Sequence, residues 1–471
     1  MIRPGTTPIR VVLLVMVGVL LLAAGYLGVA GGRQLAANWA FHPIRVPAAT
    51  AAATDVAGPL SAATAPVGTP AKPVAGLPPS PAGVAAALAG PLSAGGLGPS
   101  MAAQVFDAQA GTALFSRRAD QLVAPASTSK LLTAAAVLTR YRDTDRFSTR
   151  VLAGPTPGSV VLVGGGDPTL SAAPAGQATE YPEAARVSEL ARAVRASAGG
   201  TPISQVIVDD SLFTGPTTAP GWAPEDAPSS YASPITATMV DAGRDSPDAA
   251  IRSAAPDLAA GQALAKVLGA GQVSRGTATA GARQLAKVQS APVGVLVEQM
   301  LRDSDNVIAE VLARQVAIAA HQPASFSAAA AAISSTLAPA GVTVGDGMRD
   351  GSGLSGQDRI PAAALGQVLL ATTGTGHPQW RPILSGLSVA GWDGSLVEQD
   401  RFTGSATERA DGAVRAKTGS LTGVSAMAGV LTDADGRQLI FVFVADQTPG
   451  ETDARTAIDQ LAATLVRCGC H

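Results

Sequence analysis

A serine three residues ahead of a lysine, Ser127-Thr128-Ser129-Lys130, is the first place where this 471-residue chain could do chemistry. On a helix, positions i and i+3 share a face about 5–6 Å apart, so the Lys130 amine can reach the Ser127 hydroxyl. A serine hydroxyl needs a base within hydrogen-bond reach before it attacks an acyl carbon. At a helix start it also gains backbone N–H groups and the positive end of the dipole. A second candidate is Ser304-Asp305-Asn306. Its hydroxyl can relay a proton, and its amide can hold a substrate carbonyl or order the lysine. The third, Lys417-Thr418-Gly419-Ser420, ends an expected strand and offers a fixed positive charge, a hydroxyl for a carboxylate and a glycine that admits substrate close to the backbone. Taken alone, each has a plainer reading: an exposed helical lysine, a turn rich in Ser, Asp and Asn, a strand closed by a glycine turn.

Lysine usage favours the chemical reading. Of 33 basic residues only Lys72, Lys130, Lys266, Lys287 and Lys417 are lysine; the other 28 are arginine. Arginine keeps its proton in proteins, whereas lysine releases one when buried or placed beside another cation. Two of the five lysines fall in these motifs. The order Ser-x-x-Lys, Ser-x-Asn, Lys-Thr-Gly is the active-site set of penicillin-binding proteins and serine β-lactamases.

More narrowly, the chain resembles the low-molecular-mass class C penicillin-binding proteins, the D-alanyl-D-alanine carboxypeptidase/endopeptidases of peptidase family S13. The likeness spans about residues 82–466 and reaches beyond the three motifs. It includes Pro125-Ala-Ser-Thr-Ser-Lys130, Leu162-Val-Gly-Gly-Gly-Asp-Pro-Thr-Leu170 and Asp350-Gly-Ser-Gly-Leu-Ser355. Val389-Ala-Gly-Trp-Asp-Gly-Ser395 and Arg415-Ala-Lys-Thr-Gly-Ser-Leu-Thr-Gly423 belong to it as well.

The resemblance implies Ser127 as nucleophile, Lys130 as its base, Ser304 as proton shuttle to the leaving group and Asn306 as a positioning group. It implies that Lys417 and Thr418, with Gly419 and Ser420, bind the terminal carboxylate, and that the N–H groups of Ser127 and Ser420 form an oxyanion hole. The implied substrate is a peptidoglycan stem peptide, with β-lactams as covalent inhibitors and neither metal nor cofactor. The implied fold is α/β: a transpeptidase domain like that of penicillin-binding proteins and serine β-lactamases, an antiparallel sheet flanked by helices, with an inserted second domain. Ser304 follows Ser127 by 177 positions, room for that insertion but less than in the longest members, so one subdomain is expected to be reduced or absent.

The elements that must position these residues follow from local pattern. Helices are expected over 82–88, 127–141 and 452–467, and over 297–319 with a break at 303–306. Strands are expected at 101–107, 112–116, 159–163, 205–208, 414–417, 424–431 and 438–445, with Asp433-Ala-Asp-Gly436 turning the last pair. The penicillin-binding domain is assigned to 82–155 and 285–466, the inserted domain to 156–284 and a tail to 467–471.

Ahead of these lies an uncharged apolar run, residues 11–30, flanked by Arg3 and Arg10 on one side and Arg33 on the other. Twenty helical residues span about 30 Å, a bilayer core. The leading arginines place residues 1–10 in the cytoplasm and the bulk outside. The run is read as an uncleaved signal anchor, with a removed signal peptide as the alternative; both export the protein. Residues 43–79, rich in Ala, Pro and Thr, read as an extended tether.

Composition and histidine placement narrow the rivals. Net charge is −2 and aromatics are scarce, unlike a nucleic-acid binder. A Ser-His-Asp hydrolase would have to use His321 or His377, since His42 lies in the tether and His471 is the last residue. No Gly-x-Ser-x-Gly elbow is present. A β-lactamase-type hydrolase is the closer alternative, but no Glu-x-x-Leu-Asn-like segment lies between the first two motifs. A wall-binding protein without activity would explain the anchor and tether but not the intact set of catalytic residue types. Cys468 and Cys470 could pair outside the cytoplasm in a short, strained loop; with one histidine they are too few for a zinc site, and the tail is expected to be functionally neutral.

Overall fold

The structure is a computed structural model that describes residues 77–246 and 249–471. The apolar run at 11–30 and nearly all of the tether at 43–79 lie outside those residues. Among the described residues no helix is long and apolar enough to cross a membrane.

The described chain opens on the helix Pro81–Ala89, whose first turn is capped by the Ser80 hydroxyl accepting from Gly83 N–H (2.9 Å). Strands β1 (Ser100–Asp107) and β2 (Ala113–Arg117) form a hairpin, and β3 (Leu122–Val123) leads into a 3-10 turn, Ala126–Ser129, and the helix Lys130–Arg140. A second sheet follows, built from β4 (Ser148–Ala153), β5 (Ser159–Val163), β6 (Gln205–Asp209), β7 (Gln272–Arg275) and β8 (Gln284–Gln289). The helices Val293–Arg302, Asn306–Ala319 and Phe326–Leu337 come next, then β9 (Ile360–Pro361), which pairs with β3, and the helix Ala362–Thr373. The chain closes with β10 (Ser388–Val389), β11 (Val414–Leu421), β12 (Val424–Thr432), β13 (Gln438–Asp446) and the helix Glu451–Arg467.

The main sheet has the order β10-β11-β12-β13-β1-β2 and is antiparallel throughout. Strands β12 and β13 are buried on both faces, which is why they read as nearly unbroken apolar runs. Period-two alternation sends Ala428, Val430, Val442 and Val444 to one core and Met427, Leu431, Phe441 and Phe443 to the other. The first core packs against the helices that follow the nucleophile turn. The second packs against Val84 and Leu88 of the first helix and Ile458, Leu461 and Leu465 of the last. Strands from the two ends of the chain thus meet in register, Ser100 opposite Asp446.

The second sheet is mixed, in the order β7-β6-β5-β4-β8. The β5–β6 and β6–β7 pairs are parallel and are joined through the crossover helices Val187–Ser197 and Pro256–Leu268. It has its own core, with Val160, Leu162, Leu190, Val206 and Leu264. Its edge extends past the 156–284 interval on both sides, because β4 and β8 pair with one another and β4 with β5 rather than with the main sheet. Which sheet a strand joins depends on a distant partner, which its own alternation does not encode.

Local differences from the expected elements are small but matter at the site. The expected helix over 127–141 begins instead at Lys130, preceded by the 3-10 turn. The expected strand over 414–417 continues through the whole Lys-Thr-Gly-Ser motif to Leu421, because β12 pairs with it to the end. At the C-terminus Cys468 and Cys470 are joined by a disulfide, and the Cys470 carbonyl accepts from the Ser80 N–H (2.6 Å), fastening the tail to the first helix.

Candidate active site

The turn that carries Ser127 is a strained piece of backbone packed from two sides. Ala126 is fully buried with φ 47°, a left-handed conformation that costs an alanine about 1–3 kcal/mol unless its surroundings enforce it. Two close approaches enforce it. A β-carbon on Gly353 would lie 1.9 Å from the Ala126 carbonyl, and one on Gly419 would lie 3.0 Å from the Pro125 carbonyl. In a 3-10 turn, side chains at i and i+3 eclipse. Lys130 therefore comes directly beneath Ser127, its Nζ 2.9 Å from the half-buried Ser127 Oγ.

Lys130 is fully buried and makes two further hydrogen bonds, to Asn306 Oδ1 (2.6 Å) and to the Ser352 carbonyl (2.8 Å). Burial pushes its pKa down to about 8, although the carboxylates of Asp350, Glu310 and Asp305 pull it upward. An amine so placed exchanges its proton near neutral pH.

Asn306 is placed by the break between two helices. Asp305 caps the helix Asn306–Ala319, its Oδ1 accepting from Val307 N–H (2.8 Å) and Ile308 N–H (3.0 Å). Its Oδ2 accepts from Tyr181 Oη (2.8 Å) and Arg252 Nη2 (3.0 Å), both from the segment 156–284. Burial alone would raise the Asp305 pKa; Arg252 and Arg244 outweigh it and hold the carboxyl well below the usual range. Asn306 Nδ2 donates to the Tyr231 carbonyl (3.2 Å), which leaves Oδ1 for Lys130. Ser304 stands at φ 57°, half-buried, and its hydroxyl takes no part in this network.

The third motif lies along β11 against the nucleophile turn. Lys417 and Thr418 are buried. The Lys417 Nζ donates to the Thr418 carbonyl (2.9 Å), and burial together with the nearby Lys130 charge pushes Lys417 well below the ordinary lysine value, against the pull of Asp303 and Glu398. Thr418 Oγ1 is 2.7 Å from Ser395 Oγ. The Ser420 hydroxyl accepts from Arg455 Nη2 (3.2 Å). Gly419 has no side chain where one would crowd the Ser127 N–H.

Several participants carry no signal as strong as a motif. The loop Asp350-Gly-Ser-Gly-Leu-Ser355 supplies the Ser352 carbonyl to Lys130. Glu310, fully buried, accepts from Gly351 N–H (3.0 Å) and Ser352 N–H (2.8 Å). Asp350 Oδ1 accepts from Gly353 N–H (2.7 Å), and its Oδ2 from Ser355 N–H (2.7 Å) and Trp222 Nε1 (2.7 Å). Two faint clues exist in the sequence: the paired glycines around Ser352, and the four-residue spacing from Asn306 to Glu310, one helical turn. Ser127, Lys130 and Asn306 thus form one hydrogen-bonded cluster with β11 alongside, while His377 stacks on Trp380 elsewhere, ring centroids 4.3 Å apart. Among the described residues no group of three or more His, Cys, Asp or Glu is arranged to hold a metal ion.

Residues 84–250 and 245–467 match the D-Ala-D-Ala carboxypeptidase 3 (S13) family. A carboxypeptidase of Mycobacterium tuberculosis is 47% identical over 400 residues, covering 83% of this chain and 85% of the relative. Carboxypeptidase DacB of Mycolicibacterium smegmatis is 43% identical over 395 residues, covering 82% and 85%. Among solved structures, penicillin-binding protein 4 (dacB) from Haemophilus influenzae superposes with a TM-score of 0.65 at 20% identity, over 81% of this chain and 98% of that one. That likeness shows a shared fold.

Proposed function

The chain belongs to the D-Ala-D-Ala carboxypeptidase 3 (S13) family of serine-type, penicillin-binding peptidases, and we propose that Ser127 carries its acyl transfer with Lys130 as base. One observation carries the assignment. Lys130 has three partners, and two of them, Asn306 Oδ1 and the Ser352 carbonyl, can only accept. A neutral amine has two N–H donors and one lone pair. Lys130 Nζ lies 2.9 Å from Ser127 Oγ and donates to it; once the amine is neutral and both donors stay committed, its lone pair is left for Ser127, which alone of the three partners carries a hydroxyl proton.

In the proposed reaction Lys130 takes the Ser127 proton as Oγ attacks the carbonyl of the penultimate D-alanine. The N–H groups of Ser127 and Ser420 hold the oxyanion; losing one such donor typically costs about 10²–10³ in rate. Ser304 relays that proton from Lys130 to the departing D-alanine amine; Lys130 then takes a proton from the water that attacks the acyl carbon and returns it to Ser127 Oγ as the acyl group leaves. Lys417 and the Thr418 hydroxyl beside it bind the carboxylate of the terminal residue. β-Lactams are expected to acylate the same serine.

The substrate class supported by family membership is the peptidoglycan stem peptide, placed outside the cytoplasm. The apolar run at 11–30 is proposed to anchor the chain in the plasma membrane, with the Pro-rich segment spacing the catalytic domain from it.

Intact-mass measurement after incubation with penicillin tests the nucleophile. A single adduct is expected on the wild type and none on Ser127→Ala; an adduct on the folded variant would overturn the assignment. Mass spectrometry of products from monomeric and cross-linked muropeptides then separates carboxypeptidase from endopeptidase action.

A further inference from the structure

Lys130 can turn its lone pair to Ser127 only while the Ser352 carbonyl stays in place, so what holds that carbonyl matters to the reaction. Three consecutive backbone N–H groups of the loop are pinned by two buried carboxylates. Glu310 takes those of Gly351 and Ser352, and Asp350 takes that of Gly353. The Gly353 N–H and the Ser352 carbonyl belong to one planar trans peptide unit, so they point in opposite directions. Drawing the N–H toward Asp350 sends the oxygen toward Lys130, where it lies 2.8 Å from Nζ. In all three contacts the loop N–H donates and the carboxyl oxygen accepts, so both side chains hold the loop in the same sense.

We propose that Glu310 and Asp350 form a clamp that positions the Ser352 carbonyl, so that Glu310, one helical turn beyond Asn306, is a positioning residue for acylation. The helix Asn306–Ala319 then supplies one acceptor to the base directly, through Asn306, and governs the other through the loop. This inference rests on the reading of Lys130 as the base.

Glu310 is otherwise an expensive residue to bury. Arg314 Nη1 stands 3.7 Å from its Oε2, with the guanidinium stacked 3.8 Å over Phe326. Burial and the neighbouring Asp350 push the Glu310 pKa up to about 7. The titratable and charged groups around the clamp are Lys130, Lys417, Asp305, Asp350 and Arg314, with Asp358, which burial and the neighbouring Asp350 push up to about 10.

The test compares Glu310→Gln with Glu310→Ala in the full chain. Both leave Arg314 without its counter-charge, and only the glutamine keeps an acceptor for the two N–H groups. Penicillin acylation rates are measured from pH 5 to 10 beside melting temperatures. The clamp predicts that Glu310→Ala slows acylation about 10²-fold, the scale of a 1 Å misplacement, and that Glu310→Gln recovers most of the rate. It also predicts that the acid limb of the glutamine variant moves to lower pH, since a carboxylate that favours charged Lys130 is gone. Equal losses in both variants, or a wild-type rate in Glu310→Ala, would overturn it. If Glu310→Ala fails to fold, Glu310→Ala/Arg314→Met and Glu310→Gln/Arg314→Met remove the orphaned cation and carry the same comparison. Ser127→Ala and Lys130→Arg are run in parallel. Acylation surviving in those variants would defeat the base assignment itself, whereas their inactivity with a normal Glu310→Ala would defeat the clamp alone.

Discussion

A β-carbon on Gly419 would lie 3.0 Å from the Ser127 nitrogen, so the strand bearing the third motif and the turn bearing the first meet backbone to backbone. The N–H proposed to hold the oxyanion sits at that contact. Replacing Gly419 by alanine pushes the strand and turn apart by a few tenths of an ångström. Penicillin acylation is expected to fall by about tenfold to 10²-fold, while the melting temperature stays close to wild type. Stopped-flow acylation kinetics beside calorimetry check this; an unchanged rate would show that the contact does not shape the oxyanion site.

The proposed base has a lowered pKa because it is buried. Lys130 is shifted from the ordinary lysine value to about 8, and the reactive form is the neutral amine. Acylation should therefore rise about tenfold per pH unit on the acid side and level off above the shifted value. Lys130→Arg should be slow at every pH, because guanidinium keeps its proton. A pH profile with an acid limb that the arginine variant shares would assign the titration to another group.

Asp305 ties Tyr181 and Arg252 to the helix that carries Asn306 through one carboxylate. Replacing it with alanine strips the cap from the helix Asn306–Ala319 and leaves the buried Arg252 uncompensated, a loss on the order of 3–5 kcal/mol. Because Arg252 and Arg244 hold its folded pKa below the unfolded one, its stabilisation is fully present above the unfolded value, about 3.9. It is lost as pH falls from there through the folded value. Urea unfolding between pH 3 and 7 should show less acid sensitivity in the variant than in the wild type. Parallel curves would mean that another carboxylate dominates.

Ser304 separates stability from turnover. Its φ of 57° suits glycine better than serine, so Ser304→Gly is expected to change unfolding free energy by less than about 1 kcal/mol. Release of D-alanine should nevertheless drop if its hydroxyl delivers the proton to the leaving amine. Full turnover by this variant would remove Ser304 from the reaction.

Local sequence carried a good deal of this. The three-residue spacing of Ser127 and Lys130 holds whether the turn is α or 3-10, because both bring i and i+3 to one side. The Ser-Asp-Asn run marked the interruption between Arg302 and Asn306, since Asp305 satisfies the N–H groups that a helix start leaves open. The apolar runs at β12 and β13 announced strands; that both faces are covered was seen only in the fold. All of these are short-range statements about periodicity and capping.

Other features were decided only by the folded chain. Lys130 meets Asn306 176 positions away and Ser352 222 positions away. The second of these partners is a main-chain carbonyl, a group every residue possesses and no residue type advertises. The lowered pKa of Lys417 and the contacts that Glu310 and Asp350 make with the loop depend on how deeply distant segments bury them and on which charges stand nearby. The strand pairing that gives β4 and β8 to the second sheet is likewise a choice among partners. Residue spacing fixes which side chains can share a face, whereas burial and partner choice belong to the whole chain, because they depend on what every other segment leaves uncovered.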